Sequence, residues 1–192
     1  MASMLDAYGF DYIRTGGVVS TEFDGISQAH VNAAGYFRDT PFMILEDDCL
    51  IYKWQEYIDI PDDADIVYLG NHGYKLRANP TDLPGVWKSD GMYGCHAILY
   101  LTNKGVELLK LASLQSKEKL IGFDDSFYLL HKEANVYLLD EPVWYQKDVP
   151  DQTAFKVSQW YHNGIRYGGS FPDYEYPILL GGTGQRDGII KV

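Results

Sequence analysis

The sequence predicts an α/β domain in which a mostly parallel sheet is flanked by helices. Strand and helix patterns alternate through residues 26–140, the order expected when helices connect parallel strands. The chain has 192 residues, 46% hydrophobic and 22% charged, which is typical of one globular domain with a single large core. We expect this core over about residues 18–146. An irregular tail rich in Tyr and Gly is expected over residues 147–192.

Two helices are predicted in the first forty residues. Apolar residues at helical spacing indicate a helix over residues 3–14, which the following Gly-Gly pair would end, and Val18–Val19 favour a short strand. The second helix is predicted over residues 27–38. Its apolar stripe places His30 on the inward face, where a histidine is more often a hydrogen-bonded core residue than a ligand.

Strands and helices alternate in the rest of the core. Pro41 begins a strand that ends in an acidic cluster, and Asn103 is expected to cap a helix over residues 104–114 whose inward face includes Leu111. Residues 74–91 are rich in Pro, Asp and Gly and are predicted to form an irregular surface excursion. The other predicted elements are strands over residues 64–70, 97–101 and 134–139 and a helix that residues 122–125 open and that runs to about Glu133.

Three consecutive carboxylates follow the apolar strand that ends at Leu45. Because Glu46, Asp47 and Asp48 repel one another at neutral pH, a bound cation is the simplest way to hold them together. In an extended strand Glu46 and Asp48 would share one face, and Asp47 would lie on the other. This spacing predicts a metal on one face and a substrate on the other, in an enzyme that acts on a phosphate-bearing donor. The alternative is a solvated turn, which Asp commonly begins.

The charge balance disfavours two classes of partner. Lys and Arg total 16 and Asp and Glu total 27, which gives a net charge of −11. A non-specific nucleic-acid binder, or a protein that docks on an anionic membrane, needs a basic surface, so both are disfavoured. A nucleotide ligand stays compatible with this charge if a divalent cation offsets the local negative field.

The cysteines and the absence of a targeting pattern bear on location. Neither Cys49 nor Cys95 lies in a spacing that indicates zinc, so both are expected to be buried free thiols. The sequence has no recognisable signal peptide or membrane span, and we therefore expect a cytoplasmic protein.

Four segments between residues 25 and 146 together form a pattern. They are residues 25–30 (Gly-Ile-Ser-Gln-Ala-His), residues 44–48 (Ile-Leu-Glu-Asp-Asp), the strand-to-helix passage over residues 95–105, and Asp124-Asp125 followed by Glu141-Pro142 and Gln146. In order and rough spacing they resemble the family-25-like glycosyltransferases, the group of lipopolysaccharide-biosynthesis and collagen galactosyltransferases.

The resemblance implies a hexosyltransferase with a Rossmann-related fold of the GT-A type. Donors in that family are usually uridine diphosphate sugars, bound together with Mn²⁺ or Mg²⁺. By this resemblance Asp48 and Glu46 would hold the metal. Ser27, His30, Glu46 and Asp47 would bind the nucleotide sugar.

The same resemblance implies that Asp124 or Asp125 lies on the acceptor side. One of them would take the proton of an acceptor hydroxyl on a glycan, a protein or a small molecule, which would invert the configuration of the sugar. His72, His96 and His162 are further candidate metal ligands. Members of the family usually begin with a strand that seats the nucleotide base, whereas this chain begins at what looks like the helix after that strand.

Two other functions compete with glycosyl transfer. A metal-dependent phosphoesterase would also use clustered acids, but it needs several more His or Asp ligands at readable spacings, which the sequence does not offer. The alternative from another class is a non-catalytic binding or structural module, a transferase relic that has lost its first strand. Metal-dependent release of nucleotide from a donor distinguishes a working transferase from such a relic.

Overall fold

The computed structural model describes residues 2–20, 25–37, 39–55, 57–71, 76–147, 156–158 and 188–191. Within these residues it has four α-helices and ten strands, which confirms a mixed α/β fold. The helices are α1 (Ala2–Ala7), α2 (Gly25–Ala34), α3 (Asn103–Lys119) and α4 (Phe123–Leu130), and a 3-10 helix (His131–Glu133) follows α4. The strands are β1 (Tyr12–Arg14), β2 (Phe42–Glu46), β3 (Cys49–Ile51), β4 (Ile66–Tyr68), β5 (Arg77–Pro80), β6 (Val86–Gly91), β7 (Ala97–Tyr100), β8 (Val136–Leu139), β9 (Trp144–Gln146) and β10 (Gly188–Lys191).

Eight of the described strands form one sheet in the order β1-β10-β2-β7-β4-β8-β6-β5, and β3 and β9 form a separate two-stranded sheet. Of the seven neighbouring pairs in the large sheet, β4 and β8 alone are parallel. The prediction of a mostly parallel sheet is therefore wrong, because most described pairings are antiparallel.

Two strand placements account for this difference. Strand β7 lies antiparallel between β2 and β4, and β5 and β6 form a hairpin within residues 74–91, which were predicted to be irregular. The turn of that hairpin uses Gly85, whose φ of +78° is rarely adopted by residues with a Cβ. The Thr81 hydroxyl also donates a hydrogen bond to the Val86 carbonyl oxygen at 2.8 Å. The Pro and Gly of this segment therefore mark a turn rather than a long loop.

Strands β2, β4 and β8 nevertheless run in one direction. Strand β7 is antiparallel to both β2 and β4, and β8 is parallel to β4. The carboxyl ends of these three strands therefore lie along the same edge of the sheet, the edge at which ligands bind in parallel sheets. Strand β2 ends there at Glu46.

Alternate residues of β2 face two different cores. Phe42 and Ile44 pack in the core beneath α2, α3 and α4, whereas Met43 and Leu45 pack in the core on the opposite face of the sheet. Because side chains alternate along a strand, this pattern directs Glu46 to the helix side. The helix-side core also contains Tyr68, Ile98, Leu109 and Phe127, and the opposite core contains Leu5, Val67 and Trp144.

Helix α3 differs from its prediction at both ends. Thr102, rather than Asn103, is the N-cap, and its hydroxyl oxygen accepts a hydrogen bond from the Gly105 N–H at 3.3 Å. The helix continues to Lys119, since the polar residues after position 114 are good helix formers. Leu111, which was predicted to face inward, is 51% exposed.

The first two helices are shorter than predicted. The helix expected over residues 3–14 ends at Ala7, and residues 12–14 form strand β1 instead. Gly9, with a φ of +70°, makes the turn between them. Val18–Val19 lie outside any strand. Helix α2 ends at Ala34, but His30 is buried as predicted, with 4% of its surface exposed.

The end of the tail contains a strand rather than irregular chain throughout. Strand β10 pairs antiparallel with β2, and Gly188 lies opposite Glu46. Residues 148–155 and 159–187, over which the rest of the irregular tail was predicted, lie outside the described residues. No helix in the described ranges combines the length and the apolar character that a membrane crossing requires.

A buried histidine connects the 3-10 helix to the sheet. The Nε2 atom of His131 lies 2.8 Å from the Tyr68 hydroxyl, and its Nδ1 atom lies 3.3 Å from the Ser89 hydroxyl. Burial lowers the pKa of His131 to about 3, because a charged imidazole is poorly solvated there. The ring is therefore neutral in the folded protein at neutral and mildly acidic pH.

We predict that His131 makes the protein less stable as the pH falls. The unfolded residue binds a proton near the ordinary pKa of 6.5, whereas the folded residue does so only near a pKa of about 3. The contribution of His131 to the free energy of unfolding is therefore complete above the unfolded pKa of 6.5. It is lost as the pH falls toward the folded pKa of about 3, by up to about 1.4 kcal/mol per pH unit. Urea unfolding of the wild-type protein and of His131→Gln across this range measures the slope. The variant should be less stable at neutral pH and show a flatter slope, and equal slopes would contradict the assignment.

Candidate functional site

Two hydrogen bonds fix the chain where β2 ends. The Glu46 N–H donates to the His96 carbonyl oxygen at 2.8 Å, and the Cys49 thiol donates to the same oxygen at 2.8 Å. Asp47 and Asp48 form the turn between these two anchors. The turn from β2 into β3 is thus tied on both sides to the start of β7.

The Glu46 carboxylate contacts side chains from two other elements. His30 on α2 places its Nε2 atom 3.5 Å from Glu46 Oε1, and the Gln146 amide on β9 donates a hydrogen bond to Oε2 at 3.0 Å. The His30 ring packs against Phe123 at the start of α4, with 5.1 Å between the ring centroids. Both carboxylate oxygens of Glu46 therefore have a protein partner, and His30 joins α2 to α4.

Asp124 lies beside this group in the first turn of α4. Burial raises the pKa of Asp124, and the negative charge of Glu46 raises it further. The Cys95 thiol, the nearby His30 and the Gly94 N–H oppose this rise by stabilising the ionised carboxylate. Asp124 is thus a half-buried carboxyl group whose proton is held more tightly than that of an ordinary aspartate.

The adjacent Asp125 has a different environment. Its side chain lies over Gly122, the residue that precedes α4. A Cβ atom added to Gly122 would be 3.1 Å from the Asp125 Oδ2 atom. Gly122 provides no side-chain cap, and an acidic residue in the first turn interacts favourably with the helix dipole. Of the two aspartates predicted to be catalytic, Asp124 therefore lies with Glu46, whereas Asp125 lies over the start of the helix.

The predicted alternation of the three carboxylates along one strand is wrong. The strand ends at Glu46, and Asp47 and Asp48 turn into β3, so they do not continue one extended strand. Both aspartates are half-buried, and their charges, together with that of Glu46, add to the burial that raises the pKa of the Cys49 thiol. In the part of the chain that the structure describes, no group of three or more His, Cys, Asp or Glu is arranged to hold a metal ion.

The other predicted residues are buried or lie outside the described part of the chain. Ser27 is fully buried on α2, one turn before His30. His96 is also fully buried, and its ring lies against Gly70, where a Cβ would overlap it. Its backbone carbonyl, rather than its ring, fixes the turn after β2. His72 and His162 lie outside the described residues.

Two residues of this site were not predicted as functional. Cys95 is a buried free thiol, as expected, but it also hydrogen-bonds to Asp124. Gln146 appears in the fourth resembling segment, although no role was assigned to it. Its contact with Glu46 depends on the antiparallel pairing of β9 with β3, in which Gln146 lies opposite Cys49. No local pattern in the sequence predicts that pairing.

A scan of the chain against protein-family models gave no match. Searches of curated proteins and of solved structures also gave none. The family resemblance of the four segments therefore stays a prediction, and the arguments about function that follow depend on the residues and their geometry.

We predict that Asp124→Asn stabilises the fold at neutral pH. Because the pKa of Asp124 is raised, the folded protein favours the protonated form of this carboxyl group. Its contribution to the free energy of unfolding is therefore complete below the ordinary pKa of 3.8 and is lost as the pH rises through the pKa of the folded protein. A neutral asparagine avoids that loss, and we expect a gain of roughly 0.5–2 kcal/mol, the usual range for stabilising substitutions. Urea midpoints at neutral and acidic pH measure the gain.

Asp125→Asn is the matched control for this measurement. It removes the same charge one residue away, where the carboxylate interacts favourably with the helix dipole, so it should lower stability slightly. The gain in Asp124→Asn should shrink as the pH falls toward 3.8. A loss of stability at neutral pH in Asp124→Asn would show that its ionised carboxylate is favoured in the folded protein, contrary to the geometry described above.

Proposed function

We propose that this chain is a metal-dependent glycosyltransferase that moves a sugar from a nucleotide diphosphate sugar to an acceptor hydroxyl and inverts the configuration of the sugar. The donor that we propose is a uridine diphosphate sugar. One observation carries the proposal. The four resembling segments, which are separated in sequence, contribute His30, Glu46, Cys95, Asp124 and Gln146 to one site at the carboxyl end of β2.

Asp124 is the residue that we propose as the general base. A base works best when its pKa approaches the working pH, and both burial and the charge of Glu46 raise the pKa of Asp124 in that direction. Its carboxylate would take the proton of the acceptor hydroxyl as that oxygen attacks the sugar carbon. The Gly94 N–H and the Cys95 thiol would hold the carboxylate in one orientation during this transfer.

Glu46 has a supporting role in this proposal. The amide of Gln146 and the ring of His30 occupy its two oxygens and fix the carboxylate beside Asp124. Its negative charge keeps the proton affinity of Asp124 high. His30 is also near enough to Asp124 to stabilise its ionised form.

The residues of the turn after β2 fit a hard divalent cation such as Mn²⁺ or Mg²⁺. Asp47 and Asp48 supply carboxylate oxygens from half-buried positions, and Mg²⁺ is often held by one or two carboxylates together with substrate phosphates. We propose Asp48 as the protein ligand, because both oxygens of Glu46 already have partners. Bound there, the cation would supply charge that stabilises the diphosphate leaving group.

Release of nucleotide from a donor in the presence of Mn²⁺ tests this proposal. The wild-type protein should release uridine diphosphate slowly from at least one uridine diphosphate sugar, and chelation of the metal should stop the release. Asp48→Asn should abolish it while leaving the unfolding transition intact. Asp124→Asn should slow transfer to an added acceptor by about 10²–10⁴-fold, the usual contribution of a general base.

Asp125→Asn controls for the loss of charge at the start of α4 and should change the rate only a few-fold. Calorimetric titration with Mn²⁺ and donor, alone and together, reports binding independently of turnover. Binding without release would favour the non-catalytic relic over the transferase. No heat and no release with any donor would contradict both the metal and the transfer.

A further inference from the structure

Three side chains form a stack on the flank of α4, which we call the Arg77 stack. The ring centroids of Tyr128 on α4 and Tyr93 between β6 and β7 lie 5.6 Å apart, with 51° between the ring planes. The Arg77 Cζ atom on β5 lies 5.8 Å from the centroid of the Tyr128 ring. Arg77 is exposed and both tyrosines are half-buried. The stack therefore presents a guanidinium group backed by aromatic surface.

The backbone beneath the stack is adapted to it. Arg77 lies opposite Gly91 in the β5–β6 pair, and a Cβ at Gly91 would overlap the ring of Tyr128. This pair of residues in the hairpin thus provides both the guanidinium group of Arg77 and, at Gly91, the space that the Tyr128 ring occupies. The centroid of the Tyr128 ring also lies 6.3 Å from that of the buried His131 ring.

The two tyrosines connect the Arg77 stack to the proposed base. Tyr128 follows Asp124 by four residues on α4, so the two side chains share one face of the helix. Tyr93 directly precedes Gly94, whose N–H interacts with the Asp124 carboxylate. Two independent connections, one through the helix and one through the segment before β7, therefore join the stack to Asp124.

We propose that the Arg77 stack is the acceptor subsite and that it takes a sugar bearing a carboxylate or phosphate group. Tyrosine rings combine an apolar face, which suits the C–H face of a sugar, with a hydroxyl that bonds its polar groups. An arginine stacked on an aromatic ring keeps its N–H donors free for bidentate contact with an anionic group. The role of acceptor rests on the proposed function, whereas the binding of an anionic sugar does not.

The exposed guanidinium of Arg77, rather than the charge of the whole protein, favours an anionic over a neutral ligand. The chain has a net charge of −11, and Asp124 lies one helical turn before Tyr128 on α4, so an anionic acceptor needs a local cation to approach. Arg77 supplies that cation at the surface, over the ring of Tyr128. A neutral sugar would need only the tyrosine rings.

Ligand-observed NMR titration of the whole chain with matched glycosides tests this subsite without any donor. The probes are the methyl glycosides of glucose, galactose and mannose, each as the neutral sugar, the uronate and the 6-phosphate. In at least one series an anionic member should bind about tenfold more tightly than its neutral counterpart, which corresponds to about 1.4 kcal/mol. The uronate and phosphate members distinguish the two sources of negative charge.

Four variants locate the effect. Arg77→Gln should reduce the preference for the anionic member to within about twofold, whereas Arg14→Gln, a loss of the same charge on the strand at the opposite edge of the sheet, should keep it. Tyr128→Leu should weaken binding of charged and neutral members alike, and Tyr128→Phe should retain it. A preference that is absent in the wild-type protein, or that survives Arg77→Gln, would overturn the proposal.

Nucleotide release measured on the same samples separates this inference from the proposed function. If the protein prefers anionic glycosides but releases no nucleotide, the anionic subsite stands and glycosyl transfer is rejected. If it releases nucleotide but shows no preference for anionic glycosides, glycosyl transfer stands and the subsite is rejected. If both are present, the preferred glycoside should also accelerate nucleotide release in the wild-type protein and fail to do so in Arg77→Gln.

Discussion

The proximity of two carboxylates, those of Glu46 and Asp124, is the constraint on which the site depends. Burial raises the pKa of Asp124, and the like charge of Glu46 raises it further, because two carboxylates in a half-buried place repel each other. Each carboxylate has stabilising neighbours from other elements of the fold. These neighbours are His30 and Gln146 at Glu46, and Gly94 and Cys95 at Asp124. This arrangement favours the protonated form of Asp124. It therefore lowers the stability of the fold at neutral pH, but it raises the proton affinity that a general base needs.

The sheet brings these groups together through its antiparallel pairs. Because β7 lies antiparallel between β2 and β4, its first residues lie at the edge where β2 ends. The segment before β7 can then supply Gly94 and Cys95 to Asp124, and the His96 carbonyl oxygen to the turn after β2. In the same way, the pairing of β9 with β3 carries Gln146 to Glu46. The two-stranded sheet therefore closes one side of the site.

Local patterns predicted the parts of the site that depend on periodicity. The stripe on α2 placed His30 inward, and the apolar run before Glu46 located a buried strand. Strand direction and long-range pairing could not be predicted, because an antiparallel neighbour such as β7 has the same apolar pattern as a parallel one. The turn at Asp47 and Asp48 was the alternative to an extended strand, and the sequence could not decide between the two, since the pairing of β3 with β9 sets where the strand stops. Membership in a glycosyltransferase family stays a prediction.

The pKa of the Asp124 carboxyl group, measured by carbon-detected NMR titration in the wild-type protein and in Glu46→Gln, tests the carboxylate pair most directly. In the wild-type protein Asp124 should titrate above the ordinary aspartate value of 3.8, and its pKa should fall when the charge of Glu46 is removed. An Asp124 pKa at or below 3.8 in the wild-type protein, or one that is unchanged in Glu46→Gln, would contradict the proposed pair and the base derived from it.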